Sequence, residues 1–337
     1  MPRSEITIDL GALRRNVRTL LRALEGAELW AVVKANAYGH GAVDCAGAAL
    51  GAGAAALCVA TVAEALELRR EFVTARILVM GPAANREIAA AREARLELVV
   101  GDEIPDGVAV HVKLDSGMGR WGIAELVGPP AREVVGVMTH LATADSDLEF
   151  ARRQVERFRS ATAAFTGLTR HAANSAAALR LPEARFDAAR CGIALYGLSP
   201  WGEPVPELEP VLSWTSEVAL AKLLRAGEST GYGRRFTAER ETWVGIVPVG
   251  YADGFRRDMT GTEVRVAGER RRVVGAVSMD ALAVELDREL PPGTPVTIVG
   301  GGVRLEDHAR AADTINYELA CRISSDPRRA RRVVIDS

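Results

Sequence analysis

Over roughly its first two hundred residues this chain repeats one pattern eight times: a short apolar run, then a polar turn or an amphipathic stretch. The apolar runs fall at Glu28–Val33, Ala56–Ala60, Ile77–Met80, Glu97–Val100, Ala109–Leu114, Glu133–Thr139, Gly167–His171 and Arg185–Ala189. Stretches with helical spacing, such as Leu10–Leu24, Val43–Leu50, Val62–Arg70 and Leu148–Phe165, accompany them. Eight such β/α units predict a closed (β/α)8, or TIM, barrel, a little compact for that fold. A doubly wound sheet is the competitor, but no Gly-x-Gly-x-x-Gly follows the first run.

The texture then changes. Ser199-Pro200-Trp201-Gly202-Glu203-Pro204-Val205-Pro206 reads as a link between two architectures. Beyond it come β-like runs separated by turn residues: Ser213–Leu223, Thr242–Val249, Thr262–Val266, Val273–Val277, Ala281–Leu286 and Thr294–Val299. The expected division is a barrel over residues 10–211 and a mostly β domain over 212–337.

Charge narrows the partners. With 42 Lys+Arg against 44 Asp+Glu and a net charge of -2, nothing calls for nucleic acid or an anionic membrane. The arginines of the tail, Arg328, Arg329, Arg331 and Arg332, read as a solvated or carboxylate-paired face. The opening residues carry charges where a signal peptide needs an apolar core, and no apolar run approaches the roughly 20 residues of a membrane span. The expectation is a cytoplasmic protein. Cys45, Cys58, Cys191 and Cys321 are scattered without metal-ligand spacing, so no metal is expected and each reads as a small buried or half-buried hydrophobe.

Lysine usage points to the chemistry. Lysine stands only at 34, 113 and 222. Arginine carries charge but neither forms a Schiff base nor gives up a proton near neutral pH, whereas a lysine amine does both. Lys222, on a predicted strand of the second domain, reads as a surface charge, which leaves Lys34 and Lys113 as candidates for amine chemistry. A barrel collects its functional residues at the C-terminal ends of its strands. There Lys34 ends the first run, Lys113, Asp115 and Arg120 the fifth, and His140 the sixth, while Asn174 and Ser175 follow the seventh and Arg190 and Gly192 the eighth. The last two loops are where such barrels most often hold a phosphate. A reactive amine facing a phosphate cradle implies a phosphorylated carbonyl ligand, with pyridoxal 5′-phosphate the obvious one. Singly, each residue is weak evidence: a lone His140 is more often structural, and Asn-Ser after a strand is more often a helix cap.

Nine blocks carry a family resemblance. Ala31-Val32-Val33-Lys34-Ala35-Asn36-Ala37-Tyr38-Gly39-His40-Gly41 resembles the cofactor-lysine motif of the alanine racemases. The likeness continues through Lys113–Gly122, Thr139–Asp145, His171–Ser175, Arg190–Gly197, Ser229–Arg234, Val249–Gly254, Val277–Asp280 and Thr314–Glu318, essentially the whole chain. It implies that Lys34 holds pyridoxal 5′-phosphate and acts as one catalytic base, with Tyr232 the second base on the opposite face. Tyrosine is a poor base unless nearby positive charge favours its anion, and Arg120 is the residue the family pattern offers. The resemblance further implies Arg190 at the pyridine nitrogen with His140 as its hydrogen-bond partner, and Tyr38, Ser175, Gly192, Ile193 and Tyr317 as phosphate contacts. A guanidinium keeps its proton, so the ring nitrogen stays unprotonated and transamination should be suppressed. Met279 corresponds to a backbone contact with the substrate carboxylate. Lys113 matches the lysine carbamylated in many members; its rival reading is an ordinary ion pair with Asp115. Tyr251 would narrow the entrance, Tyr196 would lie in the core, and His171 would stand behind the site.

The family also implies a homodimer in which the partner supplies Tyr232 and Met279, and an N-terminal strand, residues 1–9, joined to the β domain. The implied substrate is alanine and the implied role is supply of D-alanine for peptidoglycan. Cys191 stands where proline is common, the ending Ile323–Arg328 is weaker than usual, and the barrel is short between Val100 and Val108. Three rivals remain. A racemase of another small amino acid such as serine differs by too little pocket energy to separate by sequence. A decarboxylase of basic amino acids usually places glutamate where Arg190 stands, and a non-enzymatic pyridoxal phosphate-binding protein would lack the second domain and Tyr232.

Overall fold

A computed structural model describes residues 3–126 and 131–337. Two compact units divide them. The first consists of residues 12–201 and 205–209 and the second of the chain up to Gly11 with residues 202–204 and 210–337.

The larger unit is the closed barrel. After strand β1, Ser4–Asp9, which belongs to the other unit, the barrel strands are β2 (Glu28–Val32), β3 (Ala56–Val59), β4 (Ile77–Val79) and β5 (Glu97–Val100). β6 (Val110–Lys113), β7 (Val134–Met138), β8 (Thr169–His171) and β9 (Ala188–Cys191) follow, and β9 closes on β2 in parallel register, Trp30 beside Arg190. The strands are short and almost wholly buried, as strands covered on both faces must be. Helix Leu10–Leu24 falls where its period placed it. The eighth strand lies three residues later than its apolar run predicts, because Pro182–Ala184 forms a 3₁₀ turn and Phe186 adopts a left-handed φ of 49°. Arg190 is therefore inside the last strand rather than beyond it.

The second unit is built on a nine-stranded sheet. Its central strands include Thr242–Val247, Leu282–Leu286, Glu269–Val274, Glu263–Val266, Thr294–Val299 and Leu212–Val218. β1 pairs antiparallel with Leu212–Val218 and parallel with the C-terminal strand Ala330–Ile335. The run Ser213–Leu223 is two strands, Leu212–Val218 and Leu220–Leu224, broken at Ala219. The strand expected at Val273–Val277 instead occupies Glu269–Val274: its charged first half faces solvent while its backbone pairs with Glu263–Val266. Lys222 is exposed on Leu220–Leu224, as a surface charge should be. The arginine-rich tail is carboxylate-paired: Arg328 binds Asp326, Arg331 binds Glu5, and Arg329 holds Asp253 and Asp280. Cys45, Cys58 and Cys191 are buried, whereas Cys321 is exposed. Among the described residues no helix is long and apolar enough to cross a membrane.

Candidate active site

Immediately after β2 the chain makes one turn, Lys34–Tyr38, in which Ala35, Asn36, Ala37 and Tyr38 all have φ of 52–53°. Left-handed helical conformation costs an L-residue about 1–2 kcal/mol, so the surroundings must hold this turn. Glu64 Oε1 accepts from the Ala35 N–H at 2.7 Å, Asn36 Oδ1 accepts from Ala42 N–H at 2.9 Å, and Gly39 N–H closes the turn onto Ala35 O at 3.1 Å. Glu64 also completes the capping box of helix Val62–Glu71 with Thr61. One carboxylate thus fixes both a helix start and the residue behind Lys34. Sequence reading passed over Glu64, although Thr61-Val62-Ala63-Glu64 carries the capping-box spacing.

On the neighbouring strand β9, Arg190 is 3% exposed and both its terminal nitrogens are committed to protein acceptors. Nη1 donates to His171 Nδ1 at 2.7 Å and His171 O at 3.0 Å; Nη2 donates to Thr139 O at 2.9 Å and lies 3.3 Å from Ala172 O and His140 Nδ1. Among the described residues its Nε–H makes no hydrogen bond. His140, expected as its partner, makes the longer contact, and His171 the tighter one. Burial, then the Arg190 charge, holds both imidazoles well below their ordinary range, so both are neutral acceptors. Burial also lowers the guanidinium itself, to about 10, which leaves it charged at neutral pH.

Asn174 and Ser175 follow β8. Asn174 Oδ1 accepts from Ala177 N–H at 3.0 Å and caps helix Ser175–Arg180. That capping does not consume Ser175, whose buried hydroxyl accepts from Gly192 N–H at 2.9 Å and lies 3.4 Å from Ala194 N. A Cβ on Gly192 would collide with the Tyr38 hydroxyl, so glycine is what lets Tyr38 close over this corner. Tyr38, Ser175, Gly192 and the start of the Ile193–Tyr196 turn therefore meet at the ends of β2, β8 and β9. Tyr196 is core, its hydroxyl donating to Val32 O at 2.8 Å.

In the Lys113–Gly122 block Asp115 is turned to the backbone. Asp115 accepts from the N–H groups of Gly117, Met118 and Gly119 at 2.8–3.1 Å and makes no ion pair with Lys113. Lys113 is 4% exposed and its amine is pushed down to about 8, by burial first and then by the Arg120 and Arg190 charges. Lys113 and Arg120 both lie over the indole of Trp121, at 5.4 and 5.1 Å from its centroid.

Tyr232, Met279, Tyr251 and Tyr317 all stand in the β unit. Tyr232 opens a short turn and is 72% exposed; Met279 is 53% exposed and Tyr251 is exposed as well. Backbone bonds from Tyr251 N–H to Ser278 O and from Ala252 N–H to Met279 O lace the Val249–Gly254 and Val277–Asp280 blocks together. Arg329 locks the same two loops through Asp253 at 2.6 Å and Asp280 at 2.7 Å. Tyr317 is half-buried on helix Asn316–Arg322.

The free Arg190 Nε–H, the Ser175 corner and the lysine turn form a set of polar groups suited to a planar, phosphorylated heterocycle. Comparisons with known proteins point to one family. The profile of the alanine racemase N-terminal domain matches residues 8–200, and that of the alanine racemase C-terminal domain matches residues 211–333. Alanine racemase 1 of Bacillus subtilis (strain 168) is 41% identical over 94% of this chain and 90% of its own length. The alanine racemase of D-cycloserine-producing Streptomyces lavendulae superposes with a TM-score of 0.91 at 37% identity, covering 100% of this chain and 98% of that one. That of E. faecalis superposes with a TM-score of 0.90 at 36% identity, covering 99% and 98%.

Proposed function

The chain belongs to the alanine racemase family, and from that premise we propose that it interconverts L-alanine and D-alanine with pyridoxal 5′-phosphate as cofactor and two bases, Lys34 and Tyr232. The observation that carries the reading is Arg190: every Nη donor is anchored to protein, and the Nε–H is left for a ligand acceptor. A pyridine nitrogen fits that donor, while Tyr38, Ser175, Gly192 and Ile193 fit a phosphate.

When bound, the cofactor supplies the electron sink that stabilises a carbanion at the substrate Cα. The remaining work falls to side chains. Lys34 would hold the cofactor through Nζ and, when freed, would exchange the Cα proton on one face. Tyr232 Oη exchanges it on the other, so removal from one face and return to the opposite face inverts the carbon. Arg190, still charged, would donate to the ring nitrogen and keep its own proton, which would discourage protonation elsewhere on the cofactor. Arg120 and the Met279 backbone receive the substrate carboxylate.

Exposure of Tyr232 and Met279 in the single chain supports their use by a second subunit in a homodimer with shared sites. Lys113, with its amine pushed down to about 8, has a reactive neutral fraction at physiological pH. Addition of that nitrogen to CO2 with loss of one proton gives a carbamate anion able to pair with Arg120. The role we assign is cytoplasmic supply of D-alanine for peptidoglycan.

The test is D-alanine formation from L-alanine by purified protein supplied with pyridoxal 5′-phosphate. Racemisation should vanish in Lys34→Ala. Tyr232→Phe should lose it while still binding the cofactor, and an unchanged rate there would remove Tyr232 from its role.

A further inference from the structure

Behind Arg190 a line of hydrogen bonds runs down the barrel interior to the opposite end of its strands. His171 Nε2 lies 2.8 Å from His111 Nδ1, and His111 Nε2 lies 2.8 Å from Glu97 Oε2. Glu97, the first residue of β5, in turn accepts from Arg76 Nε at 2.7 Å. His111 and His171 are wholly buried, and Trp30 packs against both rings at 5.6 and 4.5 Å. Strand β7 makes room for the line: a Cβ on Gly136 would strike the His111 ring.

Donor and acceptor counting gives the line a direction. A carboxylate only accepts, so His111 carries its proton on Nε2. Neutral His111 then presents a bare Nδ1, which accepts from His171 Nε2–H, and neutral His171 presents a bare Nδ1 to Arg190. Starting from the other end gives the same answer, because a guanidinium only donates. Burial keeps both imidazoles neutral, and Glu97 stays ionised because hydrogen bonds from His111 and Arg76 outweigh its own burial. Arg76 Nη2 also lies 3.5 Å from His111 Nε2. With the Nε2 proton facing Glu97 that contact is not a hydrogen bond, but without Glu97 it would become one.

We propose that Glu97 is a remote positioning residue for Arg190: its carboxylate fixes the tautomers of His111 and His171 so that a lone pair always faces the guanidinium. Removing the carboxylate hands His111 Nε2 to Arg76 as an acceptor. That arrangement, with His111 protonated on Nδ1 and donating to His171, opposes the bare His171 Nδ1 that Arg190 demands, so the two ends compete and the line loses its single direction. The catalytic part of this inference rests on the racemase reading; the tautomer part does not.

Histidine-selective ¹⁵N NMR of the full-length protein, with and without pyridoxal 5′-phosphate, tests it; the chain has only five histidines. Wild type should show bare Nδ1 and protonated Nε2 at His111 and His171, and a proton on either Nδ1 overturns the proposal outright. In Glu97→Leu a reversed population, with protons on Nδ1 of His111 and His171, should appear, its absence overturns the proposal, and kcat/KM should fall by up to about 100-fold, the scale of a lost charged hydrogen bond. Glu97→Gln keeps an acceptor and should keep the wild-type tautomers. Arg76→Leu combined with Glu97→Leu removes the competing donor, so it should restore the tautomers and most of the activity. A merely structural Glu97 would show the double variant worse than the single one, which sinks the idea. If the wild-type protein proved no racemase, the NMR would still decide the relay.

Discussion

At the scale of single residues, the site depends on groups whose freedom has been removed. Gly192 matters for the atom it lacks, since a Cβ there would displace the Tyr38 hydroxyl. Gly192→Ala should weaken pyridoxal 5′-phosphate binding at least ~10-fold, the effect of one misplaced polar contact, as followed by absorbance titration. Lys113 is a buried amine pushed down to about 8 from an ordinary 10.5. Its folded-state value lies below the unfolded one, so the cation is penalised on folding. That penalty is fully present below about pH 8 and is relieved as pH rises toward 10.5. In bicarbonate-free buffer Lys113→Met should therefore melt above wild type at pH 7, with the gap closing toward pH 10. In ¹³C-bicarbonate, wild type should show a carbamate resonance that Lys113→Met lacks. Lys113 as a candidate for amine chemistry was legible from the scarcity of lysine, but the backbone partners of Asp115 were not. Only the folded loop shows that Asp115 is occupied by three backbone N–H groups.

Among the elements, the left-handed turn after β2 departs furthest from what local preference predicts. Four successive non-glycine residues at positive φ contradict their own propensities and persist because Glu64 and Asn36 bind the backbone there. Glu64→Ala removes acceptors from Ala35, Ala60 and Thr61 together. We expect it to cost about 1–2 kcal/mol by calorimetry, the size of a lost cap and its backbone bonds. Barrel strands beginning at Glu28, Ala56, Ile77 and Glu97 start where their apolar runs start, because a strand buried on both faces advertises itself. The eighth does not, since Ala188–Cys191 has a charged member whose burial only Thr139, His171 and Ala172 explain.

For the molecule as a whole, the testable claim is that a working site draws Lys34 from one chain and Tyr232 from another. Mixing inactive Lys34→Ala and Tyr232→Phe subunits should then recover activity. Random pairing makes about half the dimers mixed, each with one intact site, so about a quarter of wild-type activity should return. No recovery after verified exchange would mean that each site is built from one chain.

What the sequence by itself determined is whatever is written in local period and residue chemistry: the eight buried runs, the change to β texture, the lysine economy and the family blocks. Tertiary structure decided which of those groups face one another. Arg329, read as one charge in a basic tail, clamps Asp253 and Asp280 across loops far apart in sequence. His111 and Glu97 sit on unremarked strands, yet the closed barrel lines them up behind Arg190. Hydrogen bonds between residues 14 to 60 positions apart leave no periodic trace along a chain. They exist only once closure has removed water and left each buried donor no acceptor but its neighbour.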